Sequence, residues 1–76
     1  MTPGKTPRIT AAEMRRAIER AGFTLVRQSG SHMILRNETG RRVTLPLHAR
    51  RTLHPKVVHA ILRDAELTVD DLLGLL

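Results

Sequence analysis

The 76-residue chain has no cysteine, tryptophan or tyrosine, and Phe23 is its one aromatic residue. Without cysteine there can be no disulfide, thiolate zinc site or cysteine nucleophile. A small domain with no covalent staple fits a reducing compartment, so the cytoplasm is the expected setting. One aromatic ring cannot support recognition of single strands by successive base stacking. No run approaches the ~18 apolar residues of a membrane span, and no membrane partner is expected. Met1 to Arg8 is polar and proline-rich, without an apolar stretch. It is expected to be a short flexible tail rather than a signal peptide, which leaves 9–76 as one small domain.

Acidic residues are scarce over most of the chain. Residues 1–63 contain all 13 Lys and Arg but only Glu13, Glu19 and Glu38, a net of +10. Residues 64–76 contain Asp64, Glu66, Asp70 and Asp71 with no basic residue, a net of −4. A field of that size on so short a segment attracts polyanions, nucleic acid foremost. An acidic protein or an anionic surface would satisfy the same electrostatics, and a basic surface that only keeps the chain soluble is the plain alternative.

The elements can be read from local chemistry. Thr10-Ala11-Ala12-Glu13 is a capping box, with Ile9 and Met14 at the staple positions on either side. Met14, Ala17, Ile18 and Ala21 then follow helical spacing until Gly22, a residue suited to the left-handed stop. Three strand-like runs come next, Phe23–Gln28, His32–Asn37 and Arg41–Leu45, with turn residues between them. Their short connections require an antiparallel meander. Leu25-Val26 and Met33-Ile34-Leu35 are apolar at adjacent positions, so the sheet is either covered on both sides or has one face open to a partner. Leu47–Leu53 has no periodicity and reads as a loop. Pro55 opens a second helix, whose stripe is Val57, Val58, Ile61, Leu62 and Ala65. Thr68-Val69-Asp70-Asp71 caps a last short helix with Val69, Leu72, Leu73 and Leu76 on its apolar side. The predicted class is α+β: helix, three strands, helix and a short extra helix.

Candidate chemistry falls to the four histidines. His32 follows Gly30-Ser31 at the mouth of a strand, a rigid place open to solvent, although many such residues are merely polar surface. His48 follows the third strand. His54 precedes Pro55, and His59 lies on a basic helix face with Lys56 and Arg63. His54 and His59 are five apart, about 140° around a helix, which is poor spacing for a shared metal. No phosphate-binding glycine loop or serine-hydrolase elbow is present, and no metal or cofactor is expected. Contact with nucleic acid should therefore rest on Lys and Arg meeting phosphates and on shape. Double-stranded-RNA-binding folds work in that way and share the order of a helix, three strands and a helix, an analogy of fold alone.

Three segments carry a more specific resemblance: Ala21-Gly22-Phe23, Val26-Arg27-Gln28-Ser29-Gly30-Ser31-His32, and Gly40-Arg41-Arg42-Val43-Thr44-Leu45-Pro46-Leu47-His48. Together with Ile61-Leu62-Arg63-Asp64-Ala65 they resemble the HicA (YcfA-like) family of bacterial mRNA interferase toxins, from Ile9 onward. The resemblance implies a double-stranded-RNA-binding-like fold, cleavage of mRNA, and neutralisation by a HicB-type antitoxin. It places the family's catalytic histidine on His32. Met33, Lys56 and Glu66 depart from the pattern, the first where a second His or basic residue is frequent and the others where Gly is.

RNA carries its own nucleophile, so its cleavage needs a base for the 2′-OH, an acid for the 5′-oxygen, and cations at phosphorus. His32 is the expected acid/base group, with His48 or water as candidates for the second role. Arg27, Ser31, Arg41, Arg42 and Lys56 are the expected RNA contacts. The competing readings are a non-catalytic RNA-binding module and a protein-interaction domain that docks an acidic partner.

Overall fold

Helix α1 spans Ala11–Arg20, and its start is satisfied donor by donor in the computed structural model, which describes residues 6–76. The Thr10 N–H donates to the Glu13 carboxylate at 3.0 Å, and the Glu13 N–H donates to the Thr10 hydroxyl at 3.2 Å. The N–H groups of Ala11 and Ala12 donate to the carbonyls of Arg51 and Ala49 at 2.9 and 3.0 Å. All four amides that a helix start leaves without an internal partner are thus engaged. At the other end Gly22 takes φ 101°, and the Gly22 and Phe23 amides return to the carbonyls of Glu19 and Ile18.

Strands β1 (Thr24–Ser29), β2 (His32–Arg36) and β3 (Arg42–Pro46) form one antiparallel sheet in that order. The β1–β2 connection has two residues, since Ser29 pairs with His32. Gly30 takes φ 58° while Ser31 stays at negative φ, the pattern of a type II′ hairpin turn with glycine first. Helix α2 (Pro55–Ala65) and α3 (Val69–Leu75) follow. This α-β-β-β-α order with a short extra helix is the double-stranded-RNA-binding-domain-like architecture expected from the sequence.

One face of the sheet is covered and the other is open. Met33 and Leu35 of β2 and Val43 and Leu45 of β3 are buried beneath Met14 and Ile18 of α1, Val58, Ile61 and Leu62 of α2, and Leu72 of α3. Each such side chain contributes roughly 1.5–3 kcal/mol on transfer from water. The open face consists of cross-strand rows: Thr24–Arg36–Arg42, Arg27–Ile34–Thr44 and Ser29–His32–Pro46. All are exposed except Ile34 and Pro46, which are half-buried.

A bulge in β1 accounts for the ambiguous alternation there. The register jumps between Leu25, opposite Leu35, and Arg27, opposite Ile34. Val26 is the extra residue and is 55% exposed. Leu25 can therefore pack against the core while Arg27, two positions on, joins the open face. Pro46, expected to end pairing, is the last residue of β3; on an outer strand it has no inner neighbour that needs its missing N–H. In α3 the covered residues are Val69, Leu72 and Leu75, while Leu73 and Leu76 are exposed. Two turns present only one narrow line to the core, and Arg20 holds that line by donating to the Leu75 carbonyl at 2.6 Å.

Of the expected tail, residues 1–5 lie outside the described residues. Thr6 is half-buried, and its hydroxyl sits 2.7 Å from His59 Nε2.

Candidate active site

The site is assembled around the 47–53 connection, which lacks secondary structure but has little freedom. Its Ala49 and Arg51 carbonyls cap α1, and the Leu53 amide donates to the Ile9 carbonyl at 2.8 Å. Thr52 bridges to Thr10, and the Leu53 side chain is buried. At its start the Leu47 amide donates to the Ser31 carbonyl at 2.8 Å, and the Arg51 amide closes a turn onto the His48 carbonyl at 3.1 Å. A loop with this many backbone partners behaves as part of the scaffold.

Between this connection, the β1–β2 turn and the start of α2 lies a cleft of about 380 Å³. Ser31, His32, His48, Arg51 and His54 line it, with Pro46, Leu53 and Val57 as apolar walls. The three histidines and the arginine come from three places in the fold: the start of β2, the 47–53 connection and the N-cap of α2. No acidic residue lines the cleft. Its character is cationic and hydrogen-bond donating, which suits a phosphodiester.

His54 is the N-cap of α2. Its Nδ1 accepts the Lys56 N–H at 3.0 Å, and Pro55 takes the first helical position. Among the described residues His32 has no side-chain hydrogen-bond partner, and it is exposed where it lines the cleft. No three His, Cys, Asp or Glu among the described residues are grouped as metal ligands.

The expected contact residues are dispersed. Ser31 lines the cleft, and Lys56 lies two residues past His54 in the exposed first turn of α2. Arg27 stands in the middle row of the open sheet face, and Arg42 in the far row beside Arg36. At ~3.3 Å per residue, that far row is roughly 13 Å from His32. Arg41 is occupied elsewhere. It donates to the Asp64 carbonyl at 3.1 Å and pairs with the Glu66 carboxylate, joining the β2–β3 turn to the end of α2. Arg51 is the charged cleft residue that sequence reasoning did not single out, and His54, one of the four histidines named, reads in sequence as a helix-entry residue. Both had a signal, Arg50-Arg51 in an otherwise featureless loop and histidine just before a helix-opening proline. Neither signal shows that the two positions converge on His32.

No curated protein matches the chain. A family model described as the HicA toxin of bacterial toxin–antitoxin systems matches residues 11–67, three quarters of the chain. The matched span runs from the start of α1 to just past α2 and contains every charged or imidazole group of the cleft. The chain belongs to the HicA toxin family.

Proposed function

We propose that this toxin is an endoribonuclease that cuts mRNA without a metal, with His32 as general acid/base, and that a HicB-type antitoxin restrains it. In the reaction the 2′-oxygen attacks phosphorus as the 2′-OH gives up its proton. The P–O5′ bond breaks as the 5′-oxygen receives a proton, leaving a 2′,3′-cyclic phosphate and a 5′-OH. A well-placed imidazole is worth typically 10²–10⁴-fold for one such transfer.

The observation that carries this reading is the exposed His32 on a rigid strand end, lining one cleft with His48, His54 and Arg51. Ser31, Arg51 and Lys56 are the nearest phosphate contacts, and Arg27 and Arg42 would meet flanking phosphates across the open face. Arg41 would have to exchange Glu66 for a phosphate. Purified protein free of antitoxin, given RNA in EDTA-containing buffer, should yield cyclic-phosphate ends. His32→Ala should yield none while keeping its circular dichroism, and DNA should survive for want of the 2′-OH. Wild-type cleavage by His32→Ala would remove the mechanism.

A second reading is supported by the open sheet face, where exposed Val26 and half-buried Ile34 lie among Arg27, Arg36 and Arg42. That mixture suits an acidic protein surface with an apolar centre, and a stoichiometric complex without RNA cleavage would favour it.

A further inference from the structure

We propose that His54 is a second catalytic group, a neutral imidazole that donates from Nε2 to a non-bridging oxygen of the scissile phosphate and keeps its proton throughout. The inference rests on the RNA-cleavage reading above and adds to it the group that stabilises charge at phosphorus.

The tautomer follows from the cap. The Lys56 N–H points at His54 Nδ1 at 3.0 Å, so that nitrogen must present a lone pair. A neutral ring with a bare Nδ1 carries its hydrogen on Nε2. In that form Nδ1 is engaged as the cap acceptor and Nε2 carries the hydrogen. The ring then offers the cleft a donor at Nε2.

The geometry supplies the target. His54 lines the same cleft as His32, and among the described residues its Nε2 has no protein partner. His59 differs, for its Nε2 lies against the Thr6 hydroxyl and outside the cleft. The ring of His54 is also held in place, by its own hydrogen bond and by a backbone fixed between the capping connection and Pro55. A donor oriented before charge develops on the phosphate oxygens lowers the barrier with little reorganisation. His32 would then move the proton, and His54 would hold the charge.

Two substitutions separate the cap from the donor. Asparagine caps helices well but is too short to donate where Nε2 does; glutamine reaches that place and caps poorly. His54→Asn should keep the wild-type thermal midpoint and the wild-type affinity for a 2′-O-methylated RNA oligonucleotide, while kcat falls on the order of 100-fold. His54→Gln should cut faster than His54→Asn despite lower stability. In wild-type protein, long-range ¹H–¹⁵N correlations should show His54 with Nδ1 bare and Nε2 protonated. The reverse tautomer would overturn the proposal, as would full-rate cleavage by His54→Asn under conditions where wild type cuts RNA and His32→Ala does not. If wild type leaves RNA intact, or His32→Ala cuts it normally, the cleavage reading itself fails and this inference with it.

Discussion

The amide of Leu47 donates to the carbonyl of Ser31 at 2.8 Å, and this bond fastens the connection that carries His48 and Arg51 to the turn that carries His32. Leu47 and Ser31 are sixteen residues apart in sequence, and their bond extends the β2–β3 ladder, which pairs His32 with Pro46, to the cleft mouth.

Replacing Leu47 with proline removes that donor. A net loss of about 1 kcal/mol is expected from the bond, and a larger effect on cleavage, tenfold or more on the order-of-magnitude scale, because small misplacements are costly at a reacting centre. Leu47→Ala keeps the N–H and should cut RNA at close to the wild-type rate. Thermal midpoints and initial rates on one RNA substrate check both variants.

Arg41 and Arg51 should separate cleanly. Arg41 braces the β2–β3 turn against the end of α2, so Arg41→Ala should cost up to about 1 kcal/mol of stability, as exposed pairs do, with little change in RNA affinity. Arg51 holds α1 through its carbonyl, which survives truncation of the side chain. Arg51→Ala should leave the thermal midpoint alone and lower the slope of log K against log salt by about one unit. RNA-binding titrations across a salt series distinguish the two.

Glu66 ends α2 in the left-handed region at φ 57°, where glycine is the usual occupant. Its carboxylate pairs with Arg41. Glu66→Ala loses the pair and keeps the backbone strain, whereas Glu66→Gly loses the pair and relieves it. The glycine variant should therefore be more stable than the alanine variant by about 1 kcal/mol in denaturant unfolding.

The Glu13 carboxyl is held below the ordinary glutamate value by hydrogen bonds from the Thr10 N–H and, secondarily, the Thr10 hydroxyl. A depressed folded-state value adds stability that is fully present above the unfolded value and is lost as pH falls through the folded one. Glu13→Gln should flatten this acid limb, and denaturant midpoints from about pH 7 down to about pH 3 measure it. Thr10→Ala, which removes the cap acceptor, should cost about 1 kcal/mol at neutral pH.

Local chemistry made much of the fold legible. The Thr10–Glu13 box, the Gly22 stop, the Gly30 turn and Pro55 each act within a few residues, and each stands where their chemistry puts it. The Val26 bulge was not legible, because an inserted residue in a strand shows itself only against its pairing partner. The narrow burial of α3 was hidden as well, since Arg20 reaches Leu75 from 55 positions away. At the candidate site, a residue pattern could nominate His32 and, with less weight, His48. It could not show that α1 lacks two amide partners which residues 49 and 51 supply, or that meeting this need draws Arg51 and His54 up to His32.

The extra residue at Val26 has a consequence for life in a crowded cell. Strand β1 lies at the rim of the sheet, and a straight rim is a template on which further chains can stack into fibrils. The kink at Val26 spoils that template midway, and the Arg27 charge beside it repels a second copy. The insertion thus makes β1 a poor edge for pairing with a further strand.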